Sequence, residues 1–325
     1  MLAPDSLGPT LCIGEILVEF VATAPGSGFT EPLELIGPYP SGAPAIFTDQ
    51  CAKMGGQAAI IGAVGQDDFG ALCVARLAQD GVDVSAVSEI PDVPTGTAFV
   101  RYRSDGDRNF IFNMWTSAAG KLEWTTQVQE LATKAGHLHV MGTLLSNPIV
   151  WPLIEKAAHI IKSRGGSISF DPNARKELQA DLETQSRFDA LLSQTDVLLP
   201  SGSELFDAAR TPVENGEGAA VERLFSIGVQ EVVIKRGPAG ATTMTADAAT
   251  VSQPGFIVDE VDPTGAGDCF GGAYITARRL GSSMEEALRY AAAAGARNVS
   301  VRGPMEGAGT RKELDNFIAR TALRQ

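Results

Sequence analysis

Residues 262–281 read DPTGAGDCFGGAYITARRLG. Gly265, Ala266 and Gly267 carry almost no side chain, so a ligand can approach the backbone there. Three consecutive amides can then point into one concavity, an anion-binding nest. Cys269, Phe270, Ala273, Tyr274 and Ala277 follow at helical spacing. The nest therefore opens a helix, where the dipole favours a phosphate. Asp268 falls in the first turn of that helix. Beside a phosphate, its carboxylate is placed to take a proton from an attacking hydroxyl. An isolated aspartate after a glycine would simply cap the helix. The two flanking glycines and Asp262 weigh toward the phosphate site.

Outward from this stretch the chain reads as alternating strands and helices. The first strand is expected over LCIGEILVEF, residues 11–20, followed by a polar Gly/Pro stretch to about Pro44 and a helix to Met54. AAIIGAVG is a short apolar run ending in glycine, as a buried parallel strand requires. A helix fits Asp68 to Gln79, with Asp67 and Asp68 as capping residues. Residues 96–114 break the rhythm: apolar and polar residues alternate on both sides of Ser104-Asp105-Gly106-Asp107, which predicts a β-hairpin. Strands are then expected at HLHVMG, GSISFDP, DVLLPS and EVVIKRG. Helices fit 148–163, 184–193, 202–210 and 217–227, and a second hairpin-like patch covers 240–259. An Ala-rich helix and a terminal helix, 311–323, close the chain. No internal repeat or linker is visible. The expected fold class is α/β: one doubly wound domain over 1–325, with a mainly parallel sheet and a small β-sheet lid.

Composition narrows the function. The chain has 325 residues, 44% of them apolar and 20% charged, which suits a packed globular protein. Acidic residues outnumber basic ones 39 to 26, for a formal charge of −13. There is no basic run, so neither nucleic acid nor an anionic membrane is an expected partner. A phosphate site must be built locally, from amides and a few cations. Cys12, Cys51, Cys73 and Cys269 form no CxxC pair and the three histidines are few, which argues against a zinc site. Reduced thiols, the absence of a signal-like N-terminus and the absence of a long apolar run predict a cytoplasmic protein. The Asn298-Val299-Ser300 sequon is expected to be without meaning in a helix. Neither GxxxxGK[ST], GxGxxG after the first strand, GxSxG nor HExxH is present.

Taken together, these motifs resemble those of the PfkB (ribokinase-like) carbohydrate kinases, over nearly the whole chain. DPTGAGDCFGGAY carries the likeness at the C-terminal side. SGAPA at 41–45, KMGGQAAIIGAVGQDDFG at 53–70, SFDPNAR at 169–175 and VVIKRGPAGA at 232–241 stand in the family's order. The resemblance implies a ribokinase-like fold and an ATP- and Mg2+-dependent sugar kinase, and it admits a monovalent cation such as K+. Asp268 would be the base, and Gly265, Ala266 and Gly267 the anion hole. Lys235, Gly237 and Gly240 would hold nucleotide, with Asp262 and Thr264 beside them, although Lys235 at a strand end could equally be solvated. Glu204 would organise magnesium through water. Glu19, Gly42, Ala43, Asn113 and Arg175 would meet the sugar. Residues of about 16–39 and 96–114 would form the lid, through which a homodimer could pair.

The sequence also departs from the family pattern. Ser201 replaces the Asn of NxxE, Ile46 the Asn after GAPA, and Glu19 the usual Asp. The lid stretch FIFNMWTSAAG is similar to kinases of ketohexoses and of 2-keto-3-deoxygluconate. Where keto-acid kinases carry a Tyr-Arg pair, this chain has Asn113 and Met114. Methionine cannot make the charge-assisted fork that a carboxylate takes from arginine. The expected acceptor is therefore a neutral ketohexose, fructose or tagatose. The alternative is 2-keto-3-deoxygluconate, since Arg101, Arg103 or Arg108 could supply the charge. Ribokinase or nucleoside kinase activity stands behind these. Trp115 fits either stacking on the sugar or the lid core. A catalytically dead sugar-binding protein would be expected to lose the base or the nest, and both are present.

Overall fold

A computed structural model describes residues 2–103, 108–173 and 181–324. The expected hairpin turn at 104–107 and Arg175 lie outside the described residues. Along the chain the strands are β1 (Thr10–Ile13), β2 (Leu17–Ala22), β3 (Leu35–Ser41), β4 (Ala58–Gly65), β5 (Asp83–Ile90), β6 (Gly96–Tyr102), β7 (Arg108–Asn113), β8 (His137–Met141), β9 (Ser167–Asp171), β10 (Val197–Leu198), β11 (Glu231–Lys235), β12 (Ala241–Thr245) and β13 (Thr250–Gln253). The helices are α1 (Ala43–Lys53), α2 (Asp68–Gln79), α3 (Thr126–Lys134), α4 (Trp151–Ser163), α5 (Leu182–Leu192), α6 (Glu204–Ala209), α7 (Gly216–Ile227), α8 (Ala266–Arg279), α9 (Met284–Val299) and α10 (Arg311–Arg320).

The larger sheet has nine strands in the order β13-β12-β11-β10-β9-β8-β1-β4-β5. From β11 to β5 every pairing is parallel; β12 and β13 join antiparallel at one edge. The chain runs outward from β1 through β4 to β5, and then from β8 the opposite way to β11. The order therefore reverses between β1 and β8. At such a switch point a crevice opens beyond the carboxyl ends of the strands. A second sheet has the order β3-β2-β6-β7.

The expected first strand, 11–20, is two strands in different sheets: β1 ends at Ile13 and β2 begins at Leu17. The apolar run hides the break because both pieces are buried. β3, with Pro38 and Pro40, is an edge strand, where a missing N–H is tolerated. β5 and α3 were not among the expected elements. β5 is the other edge of the large sheet and only partly buried. The terminal helix stops at Arg320, and the chain turns back so that Ala322 O accepts from Ile257 N at 2.8 Å and Arg324 N donates to Gly255 O at 2.7 Å. Asp67 caps α2 as expected, accepting from Gly70 N at 2.8 Å.

Helix α8 is buried over most of its length. Its glycines let α1 come close: a Cβ on Gly272 would lie 2.6 Å from Phe47 O, and one on Gly271 3.3 Å from the Phe47 ring. At its far end, buried Arg279 donates to Ala3 O at 3.0 Å, Pro4 O at 3.1 Å and Gly8 O at 2.7 Å, and faces Asp5 at 3.5 Å. His137 and His139 are buried among Ser167 and Ser169 at 2.6–2.7 Å. Burial pushes both imidazoles well below their ordinary pKa, so they stay neutral and belong to the packing of β8 on β9. The four cysteines are unpaired and buried, and burial pushes all four thiols up. No described helix is long and apolar enough to cross a membrane.

Arg279 ties the N-terminal segment to α8 with a buried charge. Replacing it by methionine strands three carbonyls and Asp5. We expect Arg279→Met to lower the unfolding free energy by about 3–5 kcal/mol, read by urea denaturation.

Candidate active site

Four parallel strands deliver polar side chains just past their carboxyl ends: Glu15 after β1, Thr143 after β8, Asp171 and Asn173 at the end of β9, and Lys235 at the end of β11. Two cavities lie there, with the start of α8 between them. The first is a cleft of about 390 Å³ lined by Ser201, Lys235, Gly237, Gly240, Phe256 and Ala292 among others. The second is a pocket of about 50 Å³ lined by Glu15, Glu19, Gly42, Ala43, Thr143 and Asn173, and roofed by Ala98, Phe110, Phe112 and Met114 of the smaller sheet. Gly265 and Asp268 face this pocket, whereas Ala266 and Gly267 face the cleft.

The turn into α8 is forced by sterics. Gly265 has φ 78°, and a Cβ there would sit 2.3 Å from Pro304 O. Having no side chain, it leaves the first amides of the helix uncapped from that position. Gly267 is different: a Cβ would meet only Lys235 Nζ, at 3.8 Å. Glycine at 267 is therefore not demanded by the fold, and its bareness keeps the cleft open at the helix start. The preceding loop is braced from the end of α9. Val299 O accepts from Val261 N at 2.7 Å, and Asn298 Nδ2 donates to Thr264 O at 2.8 Å. Asn298, formally a sequon acceptor, is fully buried in this role. Asp262 is buried, with Oδ1 accepting from Thr264 N and Oδ2 from Gly303 N, each at 3.0 Å. Tyr274 locks α8 to the sheet by donating to Glu231 Oε1 at 2.5 Å, and burial followed by that carboxylate pushes its phenol well up.

On the cleft side Lys235 pairs with Asp171, both largely out of solvent. The ammonium thus stands beside the start of α8 rather than in bulk water. Glu204 opens α6 and accepts from Ser201 N at 2.7 Å. Ser201 in turn bridges to Lys235, so the short strand β10 extends toward the cleft. Ala292 of the Ala-rich α9, with Gly295, Ala296 and Val299, forms the apolar wall. Arg324 also lines the cleft, which sequence reading missed because it depends on the chain turning back after α10.

On the pocket side, Gly42 has φ 109° and a Cβ would lie 2.4 Å from Glu15 O, so the start of α1 approaches β1's end closely. Ser41 Oγ donates to Glu19 Oε2 at 3.3 Å. Ile46 lines the pocket, as its place in the sugar loop implied. Glu15, Thr143 and Asn173 line it too, and none was anticipated; for Thr143 and Asn173 the signal available was their position immediately after an expected parallel strand, whereas Glu15 fell inside the expected first strand. Asn113 is not brought here. It is exposed and donates to Thr97 Oγ1 at 3.1 Å, whereas its neighbours Phe112 and Met114 point in, as strand alternation dictates. Trp115 packs against the hydrophobic clusters, the lid-core alternative.

A helix start that no side chain caps, set between a cleft and a pocket at a switch point, is an arrangement suited to phosphate transfer from one cavity to the other. The chain belongs to the pfkB family of carbohydrate kinases, whose pattern matches residues 10–311. It is thus a kinase that transfers phosphate to an alcohol acceptor, with a ribokinase-like α/β fold. Fructokinase-1 of Oryza sativa subsp. japonica is 30% identical over 312 residues, covering 93% of this chain and 94% of the relative. A putative Ribokinase II from E. coli in complex with ATP and Mg2+ is 42% identical, with a TM-score of 0.89 over 96% of this chain and 99% of that one. The PfkB protein from Polaromonas sp. JS666 is 27% identical, with a TM-score of 0.80 over 95% and 99%.

The two glycines at the start of α8 should respond oppositely to a methyl group. Gly265→Ala is expected to cost at least about 1–3 kcal/mol of stability. Gly267→Ala should leave it unchanged or raise it by up to about 1 kcal/mol. Thermal unfolding of the two variants checks this.

Proposed function

We propose that this protein is an ATP-dependent ketohexose kinase acting on fructose or tagatose. The observation that carries this is the start of α8 standing between the two cavities, with Asp268 and Gly265 facing one and Ala266 and Gly267 the other. ATP would occupy the 390 Å³ cleft, its base against the apolar wall of α9 and its phosphates toward Lys235 and Gly267. The sugar would occupy the pocket under the smaller sheet. Asp268 takes the proton of the acceptor hydroxyl as its oxygen attacks the γ-phosphorus in line, and ADP departs into the cleft. The amides at the start of α8, which no side chain caps, and the dipole of α8 stabilise the charge that develops on the phosphoryl oxygens.

Magnesium fits the hard oxygen chemistry of Glu204, which would hold it through water. It supplies neutralisation of phosphate charge when bound. Lys235 contributes a fixed cation beside Gly267, oriented by Asp171. The E. coli structure with ATP and Mg2+ supports both groups. A monovalent cation such as K+ is tested by exchanging K+ for tetramethylammonium during turnover. In this reading residues 1–325 act as one kinase unit, with about 16–39 and 96–114 as lid. A homodimer would use the lid's edge strands β3 and β7, which expose Leu35, Ile36 and Ile111. The four buried, unpaired thiols suit a cytoplasmic setting.

The choice of a neutral sugar rests on charge. Glu15 and Glu19 are both buried at the pocket wall, and no lysine or arginine is among the described residues lining it. A polyol can donate hydroxyls to both glutamates. Glu19 reaches one methylene further than an aspartate and is itself held by Ser41. The names of the plant relatives, fructokinases, support the same class.

Asp268→Asn should lower turnover by roughly 10²–10⁴-fold while ATP binding, followed by calorimetry, is retained. Near-normal turnover in that variant would sink the assignment of the base. Gly267→Ala should fold normally and yet lose turnover, because its methyl occupies the place where phosphoryl oxygens meet the amides. Met114→Arg should shift the kcat/KM ratio toward 2-keto-3-deoxygluconate and away from fructose. An unchanged ratio would count against Met114 as part of the acceptor wall.

A further inference from the structure

Tyr102 ends β6 in the smaller sheet, yet its hydroxyl reaches the loop that opens α8. It donates to Asp262 Oδ1 and lies 2.8 Å from Thr264 Oγ1. The same Asp262 oxygen accepts from Thr264 N at 3.0 Å, and Oδ2 accepts from Gly303 N at 3.0 Å. One buried carboxylate thus gathers three segments: the last residue of a lid strand, the loop before α8, and the loop after α9. Thr264 is itself a wall of the acceptor pocket, next to Gly265 and Asp268, while β6 contributes Ala98 to the roof.

We propose that Tyr102 is a positioning residue for phosphoryl transfer, fastening the smaller sheet to the loop that carries the anion hole. The roof over the acceptor and the amides that receive the phosphoryl group are then set by one hydrogen-bonded junction. With the sheet docked, Thr264 is held on both its amide and its hydroxyl, and the turn at Gly265 that follows it is fixed. Burial, followed by the Asp262 carboxylate, pushes the Tyr102 phenol well up, so it remains a donor through neutral pH and beyond. This inference rests on the kinase reading above, but the junction itself can be tested without turnover.

Tyr102→Phe keeps the ring and deletes only the hydroxyl. We expect kcat to fall roughly tenfold or more, because a hydrogen bond to a carboxylate is lost at the junction. The KM values for ATP and sugar should stay within about threefold, and the unfolding free energy should fall by no more than about 1–3 kcal/mol. Deuterium uptake by the segment 262–268 of the substrate-free protein should rise, while uptake by β1, β8 and β9 stays as in the wild type. Thr264→Val removes the other hydroxyl and should give the same pattern, and the double variant should be no worse than either single one. Wild-type uptake with wild-type kcat would overturn the proposal, as would a general loss of stability with uptake raised everywhere, or additive losses in the double variant. If the wild-type enzyme phosphorylated no sugar, the kinase reading would fail, and the uptake measurement would still decide whether Tyr102 holds the loop.

Discussion

The chain turns into α8 at a residue that can carry no side chain. Gly265 has a left-handed φ of 78°, and Pro304 O occupies the space where a Cβ would go. Much of the site's geometry follows from this contact. It lets the loop from Asp262 pass beneath the segment after α9, and it starts the helix without a side-chain cap. It also sets Asp268 toward one cavity and Gly267 toward the other. The far end of the helix is fixed independently by Arg279, and the middle by Tyr274 on Glu231. A helix held at three points can keep a reactive first turn without the help of a cap.

Electrostatics accounts for the division of labour between the cavities. A protein of formal charge −13 offers little general attraction to a polyanion. The cleft offers local means, a largely buried lysine oriented by Asp171 and a helix dipole. The pocket across the helix start has the opposite character, with buried glutamates that suit hydroxyl donors. The apolar stretch of α9 adds a wall for a flat base without adding charge.

Much of this was legible in the sequence because it depends on local chemistry. The stretch 262–268 announced a helix start, and the helix begins one residue after Gly265. Apolar runs bounded by glycine marked β4, β8, β9 and β11, whose burial on both faces leaves little choice of structure. What stayed hidden depends on partners far along the chain. The break between β1 and β2 has no signal, since both halves are buried in different sheets. Thr143 and Asn173 look like ordinary loop residues, and Glu15 like a strand residue, until the switch point brings their strand ends together. Asn113 looked like a pocket residue because alignment cannot register which way a strand side chain points; one position of pleat sends it to solvent and Met114 inward. Tyr102 reads as one more aromatic in a hairpin, and only the docked sheet shows its reach to Asp262.

The central claim is that the pocket beneath the smaller sheet accepts a neutral ketohexose and passes its hydroxyl to the phosphoryl group across the start of α8. The most direct test is ADP release with Mg-ATP against fructose, tagatose, 2-keto-3-deoxygluconate, ribose and adenosine, with the sugar phosphate identified by phosphorus NMR. The account predicts the highest kcat/KM with fructose or tagatose, and little turnover of the anionic keto acid. Preferred turnover of 2-keto-3-deoxygluconate, or of adenosine, would contradict the assignment of a ketohexose to that pocket.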